Sequence, residues 1–184
     1  MNYCSQCGQP VTLKIPVDDN RERFVCDACG YVHYQNPNNV CGAILHRDDE
    51  ILLCRRAIEP RYGLWTLPAG FMENNETVAE AAAREAMEEA NARAGPLALF
   101  GIFSMPYISQ VYLMFHGRLE SEVAAGAESL EVGMFSVDRI PWDQLAFPVI
   151  THSLRLYFEQ GTERVHHAWF SRRPDRSVEF HFVD

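Results

Sequence analysis

Three glutamates constrain this chain more than anything else in it. Glu85, Glu88 and Glu89 stand at i, i+3 and i+4, so a helix over residues 78–90 places all three on one face. The helix itself is well signalled. Thr77 and Glu80 have capping-box spacing, and the following residues are rich in Ala, Glu and Met. Like charges at this spacing cost a bare helix about 0.2–0.5 kcal/mol per pair. A hard dication reverses that sign, because Mg²⁺ or Mn²⁺ takes a few carboxylates together with waters and phosphate oxygens. The ordinary alternative is a solvated acidic face. It leaves Gly70 and Glu76 at their distances upstream unexplained, along with Arg84 directly before Glu85. Arg84 is suited to orient a carboxylate through a bidentate pair. Asn91 ends the pattern, where a left-handed residue closes a helix.

Gly70, five residues, Glu76, seven residues and then Arg84-Glu85-Ala86-Met87-Glu88-Glu89 resembles the Nudix box, with Asn91 where that box carries glycine. The resemblance implies an α/β fold of the Nudix kind, an α/β/α sandwich with a mixed sheet. It also implies metal-dependent hydrolysis of a nucleoside diphosphate linked to a second group, with Mg²⁺ or Mn²⁺ as catalytic cofactor. Glu85, Glu88 and Glu89 become metal ligands on that basis, helped by the backbone carbonyl of Ala69. Glu131, in Glu-Val-Gly-Met-Phe, matches a distant glutamate of the family that serves as ligand or general base, with Glu128 as the fallback. Glu76 ties the loop to the helix. A homodimer is the family expectation.

Cys4-x2-Cys7 and Cys26-x2-Cys29 form a second pattern, with 18 residues between the pairs. That is the spacing of a four-thiolate structural zinc site. Two disulfides are the alternative, disfavoured because no secretory signal precedes Cys4. Cys41 and Cys54 sit in apolar runs and read as buried small hydrophobes. His33 reads as a surface or boundary histidine.

A length of 184 residues with 47% apolar content supports one core and a small accessory module. The turn-rich Tyr34–Asn39 stretch marks the join. The expected organisation is a zinc ribbon over 1–36, a hydrolase domain over 37–147, and a C-terminal helix and hairpin over 148–184. Strands are expected at 40–45, 51–55, 63–67, 97–103, 110–119 and 132–137. A second helix runs from Pro148 to Gln160 and stops at Gly161, ahead of a terminal hairpin. The net charge of −9 argues against nucleic acid and anionic membrane as partners. The ribbon is locally acidic too. No apolar run is long and unbroken enough to span a bilayer. The expected location is the cytoplasm.

Substrate phosphates need cations. Arg55, Arg56 and Arg61 are the candidates, because guanidinium forks match phosphate. Tyr107, Tyr112 and Phe103 are candidates to stack on a flat ring, while Trp65 reads as core. A zinc ribbon before a Nudix domain resembles the layout of NADH pyrophosphatases, whose proline-rich signature is absent at 103–112. Leu64–Gly70, Glu128–Glu131 and Leu145–Phe147 are instead similar to the plant chloroplast FAD diphosphatase group. That resemblance implies FAD cleavage to FMN and AMP, with ADP-ribose or NAD(H) as the alternative dinucleotide substrate. A ligand sensor without turnover is the reading of another class; such domains typically lose box glutamates, and this chain keeps them.

Overall fold

A computed structural model describes residues 1–183, and the chain divides into two units, Met1–Pro37 and Asn38–Asp184. In the smaller unit, β1 (Val11–Lys14), β2 (Arg23–Cys26) and β3 (Val32–His33) form an antiparallel sheet. His33 is buried there rather than on the surface, packed edge-on against Tyr31 with ring centroids 4.7 Å apart.

The larger unit is organised by side-chain alternation along two long strands. β4 (Asn38–Arg47) and β5 (Glu50–Arg56) pair around the expected acidic turn. Their alternate residues enter two separate cores. Cys41, Ala43, Leu45, Leu52 and Cys54 join one, and Val40, Ile44, Ile51 and Leu53 the other. Short β6 (Trp65–Thr66) pairs with β5, and β7 (Ala69–Phe71) with β4. The strand expected over 63–67 shrinks to two residues because Gly63 takes φ +79° and turns the chain.

Helix α1 (Val78–Ala90) covers the first core. Thr77 and Glu80 form the expected capping box, and Asn91 closes the helix at φ +48°. Ala81, Ala82, Ala86 and Ala90 are fully buried, so no large side chain holds the helix off the sheet. β8 (Ala98–Met105), β9 (Gln110–Arg118) and β10 (Ser129–Ser136) follow, and α2 (Pro148–Gln160) covers the opposite core. β11 (His166–Arg172) and β12 (Val178–Phe182) pair as expected, and β11 also runs parallel to β8. The last two strands therefore continue the main sheet. Its order is β10-β5-β4-β9-β8-β11-β12, mixed, with a helix on each face.

Val149, Ile150 and Leu154 of α2 lie against Phe100, Phe103, Met114 and Phe170. Leu154 is completely buried. Leu154→Ala leaves a cavity in this core. It should destabilise this unit by about 2–5 kcal/mol in denaturant titration.

Candidate active site

Arg84 is the hub of the site, and each of its five N–H groups is engaged. Nε donates to Glu76 Oε2 at 3.0 Å. Nη2 donates to Glu76 Oε1 at 2.8 Å and to the Phe71 carbonyl at 3.1 Å. Nη1 donates to Glu85 Oε1 at 2.7 Å and to Glu88 Oε2 at 3.0 Å. No donor is left for substrate, so this arginine arranges carboxylates. Glu76 also accepts from the Glu73 N–H at 2.6 Å, which ties the loop after β7 to the helix. The Arg84 guanidinium holds the Glu76 carboxyl down at about 2.

Glu85 and Glu89 are the buried members of the acidic face, and Glu88 is exposed. Gly70 lies directly over Glu85: a Cβ there would sit 2.3 Å from Oε2. A side chain there would displace the Glu85 carboxylate from its place beside Arg84. Glu89 Oε2 is buried without a hydrogen-bond partner. Burial, and then the neighbouring Glu85 charge, push the Glu89 carboxyl up to about 8, against a favourable contact from the Ala69 N–H. Burial raises Glu85 as well. An orphaned buried carboxylate oxygen beside a second carboxylate fits a hard divalent cation, Mg²⁺ or Mn²⁺. Among the described residues, however, only the cysteine set brings three or more ligating atoms within 4.8 Å of one another. Arg84 keeps Glu85 and Glu88 occupied.

The two candidate distant glutamates are placed differently. Glu131 pairs with Arg55, 3.5 Å from its guanidinium. A bulge between Ser129 and Glu131 sets the register that puts Glu131 opposite Arg55, on the face carrying Ile51 and Leu53 and away from α1. Glu128, in the loop before β10, is the one whose charge acts on both Glu85 and Glu89. Arg56 also reaches this cluster. Its charge lowers Glu89, its Nε donates to the Pro60 carbonyl at 3.0 Å, and its guanidinium lies 5.1 Å from the Phe147 ring centre. Arg55 donates to the Gly63 carbonyl at 3.0 Å, and Arg61 is exposed in the same loop. Tyr112 and Phe103 belong to the core, with the Tyr112 phenol raised to about 12 by burial, so neither presents a free ring face for stacking. Tyr107 is half-buried and keeps part of its ring accessible. Trp65 packs edge-on against Phe135 in the core.

In the ribbon, the Cys4–Cys29 and Cys7–Cys26 sulfurs are 3.7 and 3.5 Å apart, and all four lie within 4.8 Å of one another. A tetrahedral zinc with Zn–S bonds of 2.3 Å sets sulfurs about 3.8 Å apart. The set therefore fits structural zinc and is too open for disulfide bonds. Cys41 and Cys54 are buried in the α1 core, and burial pushes both thiols up.

A model of the NUDIX domain matches residues 36–178, and one of the Nudix N-terminal zinc ribbon matches residues 2–35. The chain belongs to the Nudix family. A crystal structure of a NUDIX hydrolase from Nitrosomonas europaea superposes with a TM-score of 0.87 at 46% identity, covering 92% of this chain and 98% of that one. The NAD-capped RNA hydrolase NudC of Stutzerimonas stutzeri is 28% identical over 166 residues, 88% of this chain and 58% of that protein. The ADP-ribose pyrophosphatase of Methanocaldococcus jannaschii is 33% identical over 124 residues, 64% of this chain and 71% of that protein. The chain thus spans little more than half the length of the NudC relatives it matches. Among the described residues, no helix of this Nudix chain is long and apolar enough to cross a membrane.

The folded metal-free protein holds the Glu89 proton more tightly than the unfolded chain does. Its stability should therefore fall as pH rises from the ordinary carboxylate range to about 8. Glu89→Gln should flatten that fall, and thermal melts in chelator across this range check it.

Proposed function

We propose that this chain is a metal-dependent pyrophosphatase that cleaves the diphosphate of a nucleoside diphosphate linked to a second group. The buried, unpartnered Glu89 oxygen beside Glu85, under Gly70, is the observation that carries the reading. Glu85 and Glu89 are the proposed inner ligands. Glu88 and the Ala69 carbonyl contribute on the exposed side, and Glu128 is the ligand or base from across the site. Glu131 is assigned to its pair with Arg55. A divalent ion held there acidifies a water and neutralises phosphate oxygens. The protein's own share is positional. Arg84 fixes two carboxylates, and Arg56 supplies a cation beside the cluster for a phosphate oxygen.

The relatives support a substrate class, since they include an ADP-ribose pyrophosphatase and NAD-capped RNA hydrolases. An ADP-ribose moiety, free or within a nicotinamide dinucleotide, leads on that ground. FAD, implied by the sequence resemblance around Leu64–Gly70, is second. The acidity of the chain argues against a long RNA, and the NudC relatives argue that a capped RNA belongs among the substrates tried. A homodimer in the cytoplasm remains the expectation.

A Mg²⁺-dependent hydrolysis panel over NADH, NAD⁺, ADP-ribose, FAD and NAD-capped RNA, with product identification, tests this. Wild-type protein should cleave at least one diphosphate. Glu89→Gln should lose about a hundredfold or more in kcat while keeping its fold. Near wild-type rates in that variant would remove the site assignment. Tight binding with no turnover of any compound would make the protein a sensor.

A further inference from the structure

The C-terminus of α1 ends under the loop that carries Glu128, and the two are joined by a ladder of hydrogen bonds. A helix leaves its last carbonyls without intrahelical partners. Here the loop supplies them: Ala124 N–H donates to the Ala90 carbonyl at 2.9 Å, and Gly126 N–H to the Glu89 carbonyl at 2.9 Å. Gly126 passes so close that a Cβ on it would sit 1.7 Å from the Glu88 carbonyl oxygen. Ser121 continues the ladder, accepting from the Arg93 N–H at 2.8 Å. Beyond it, Glu128 is held by its own carbonyl, which accepts from the Ala57 N–H at 2.8 Å.

The residue that closes the helix adds a side-chain rung of its own. Asn91 Nδ2 donates to the Ala124 carbonyl at 3.0 Å. Asn91 is also the residue where this chain departs from the box pattern, which has glycine there. Glycine serves the left-handed backbone equally well but has no amide to donate. We propose that Asn91 is a positioning residue, a side-chain latch that holds the 122–128 loop on the α1 C-terminus and so keeps Glu128, two residues beyond Gly126, close to Glu89. This rests on the pyrophosphatase reading above for its catalytic consequence only. The latch itself is a matter of loop stability. The departure from glycine trades backbone freedom for a tether on the loop that completes the site.

Asn91→Gly deletes the amide and keeps the backbone, so it isolates the latch. Loss of one exposed hydrogen bond corresponds to about a fivefold change in an opening equilibrium. Hydrogen exchange should show the Ala124 and Gly126 amides losing protection by about that factor, with Ala81–Ala86 unchanged. With the best substrate of the panel, kcat should fall severalfold and KM should stay near its original value. Adding Asn91→Gly to Glu128→Gln should then lower kcat no further, because the residue it positions is already disabled. Unchanged protection at Ala124 and Gly126 would overturn the latch, and a fully additive double variant would overturn its link to Glu128. If Glu128→Gln alone turns over normally, Glu128 is not part of the site. If the wild type cleaves nothing, the activity reading fails. In both cases the protection of Ala124 and Gly126 still decides whether Asn91 holds the loop.

Discussion

A single guanidinium settles the arrangement on which the site depends. Arg84 spends every N–H on Glu76, Glu85, Glu88 and the Phe71 carbonyl. Without it, an acidic helix face next to a half-buried loop would repel itself, and the strand–loop–helix passage from Ala69 to Val78 would lose its internal tie. With it, two consequences follow. Glu76 is fixed as a carboxylate that holds the loop, and Glu85 is oriented under Gly70. Glu89 is the member left outside the network. It lies one helical turn beyond Glu85, buried, with an oxygen that nothing in the protein satisfies. The fold thus compensates one part of an acidic cluster internally and leaves a Glu89 oxygen without a partner.

The same helix is built for close approach at both ends and along its length. Four buried alanines seat it on the sheet, Gly70 lets β7 lie against a carboxylate, and Gly126 lets the far loop cover the last carbonyls. At the two glycines, backbone takes the place of a side chain. Backbone thus lies against the helix at both ends, while the Arg84 side chain orients Glu85 and Glu88 between them. Of the groups proposed to meet substrate, Arg56 is the last residue of β5, Arg61 lies in the turn that follows, and Tyr107 in the 3₁₀ turn at Pro106–Ile108 after β8.

Much of this was legible in the sequence, and for physical reasons. Helix α1 is specified locally, by a capping box, a run of helix formers and a left-handed terminator, so its limits and the face of its glutamates follow from spacing alone. The cysteine pairs are equally local. The distant members of the site were harder, because they depend on register. A bulge between Ser129 and Glu131 turns Glu131 toward Arg55, while Glu128 stays in the loop whose Gly126 lies on the end of α1, and no sequence signal announces a bulge. Tyr112 fits the pattern of a strand aromatic, which is compatible with either sheet face; pairing with Val40 and Phe103 sends it into the core. Gly126 sits in an Ala-Ala-Gly-Ala loop that carries no signal of its own, and only the helix carbonyl beneath it reveals its role. The parallel pairing of β11 with β8 is likewise a tertiary choice that a terminal hairpin pattern does not disclose.

The claim on which the rest turns is that Glu85 and Glu89 form a hard-cation site in which the Glu89 oxygen has no partner within the protein. The most direct test is a Mn²⁺ titration followed by electron paramagnetic resonance on the zinc-loaded wild type and on Glu85→Gln and Glu89→Gln. The account predicts saturable Mn²⁺ binding to wild type, displaced by Mg²⁺, and loss of most of that affinity in each variant with zinc content unchanged. Equal Mn²⁺ affinity in all three proteins would contradict it.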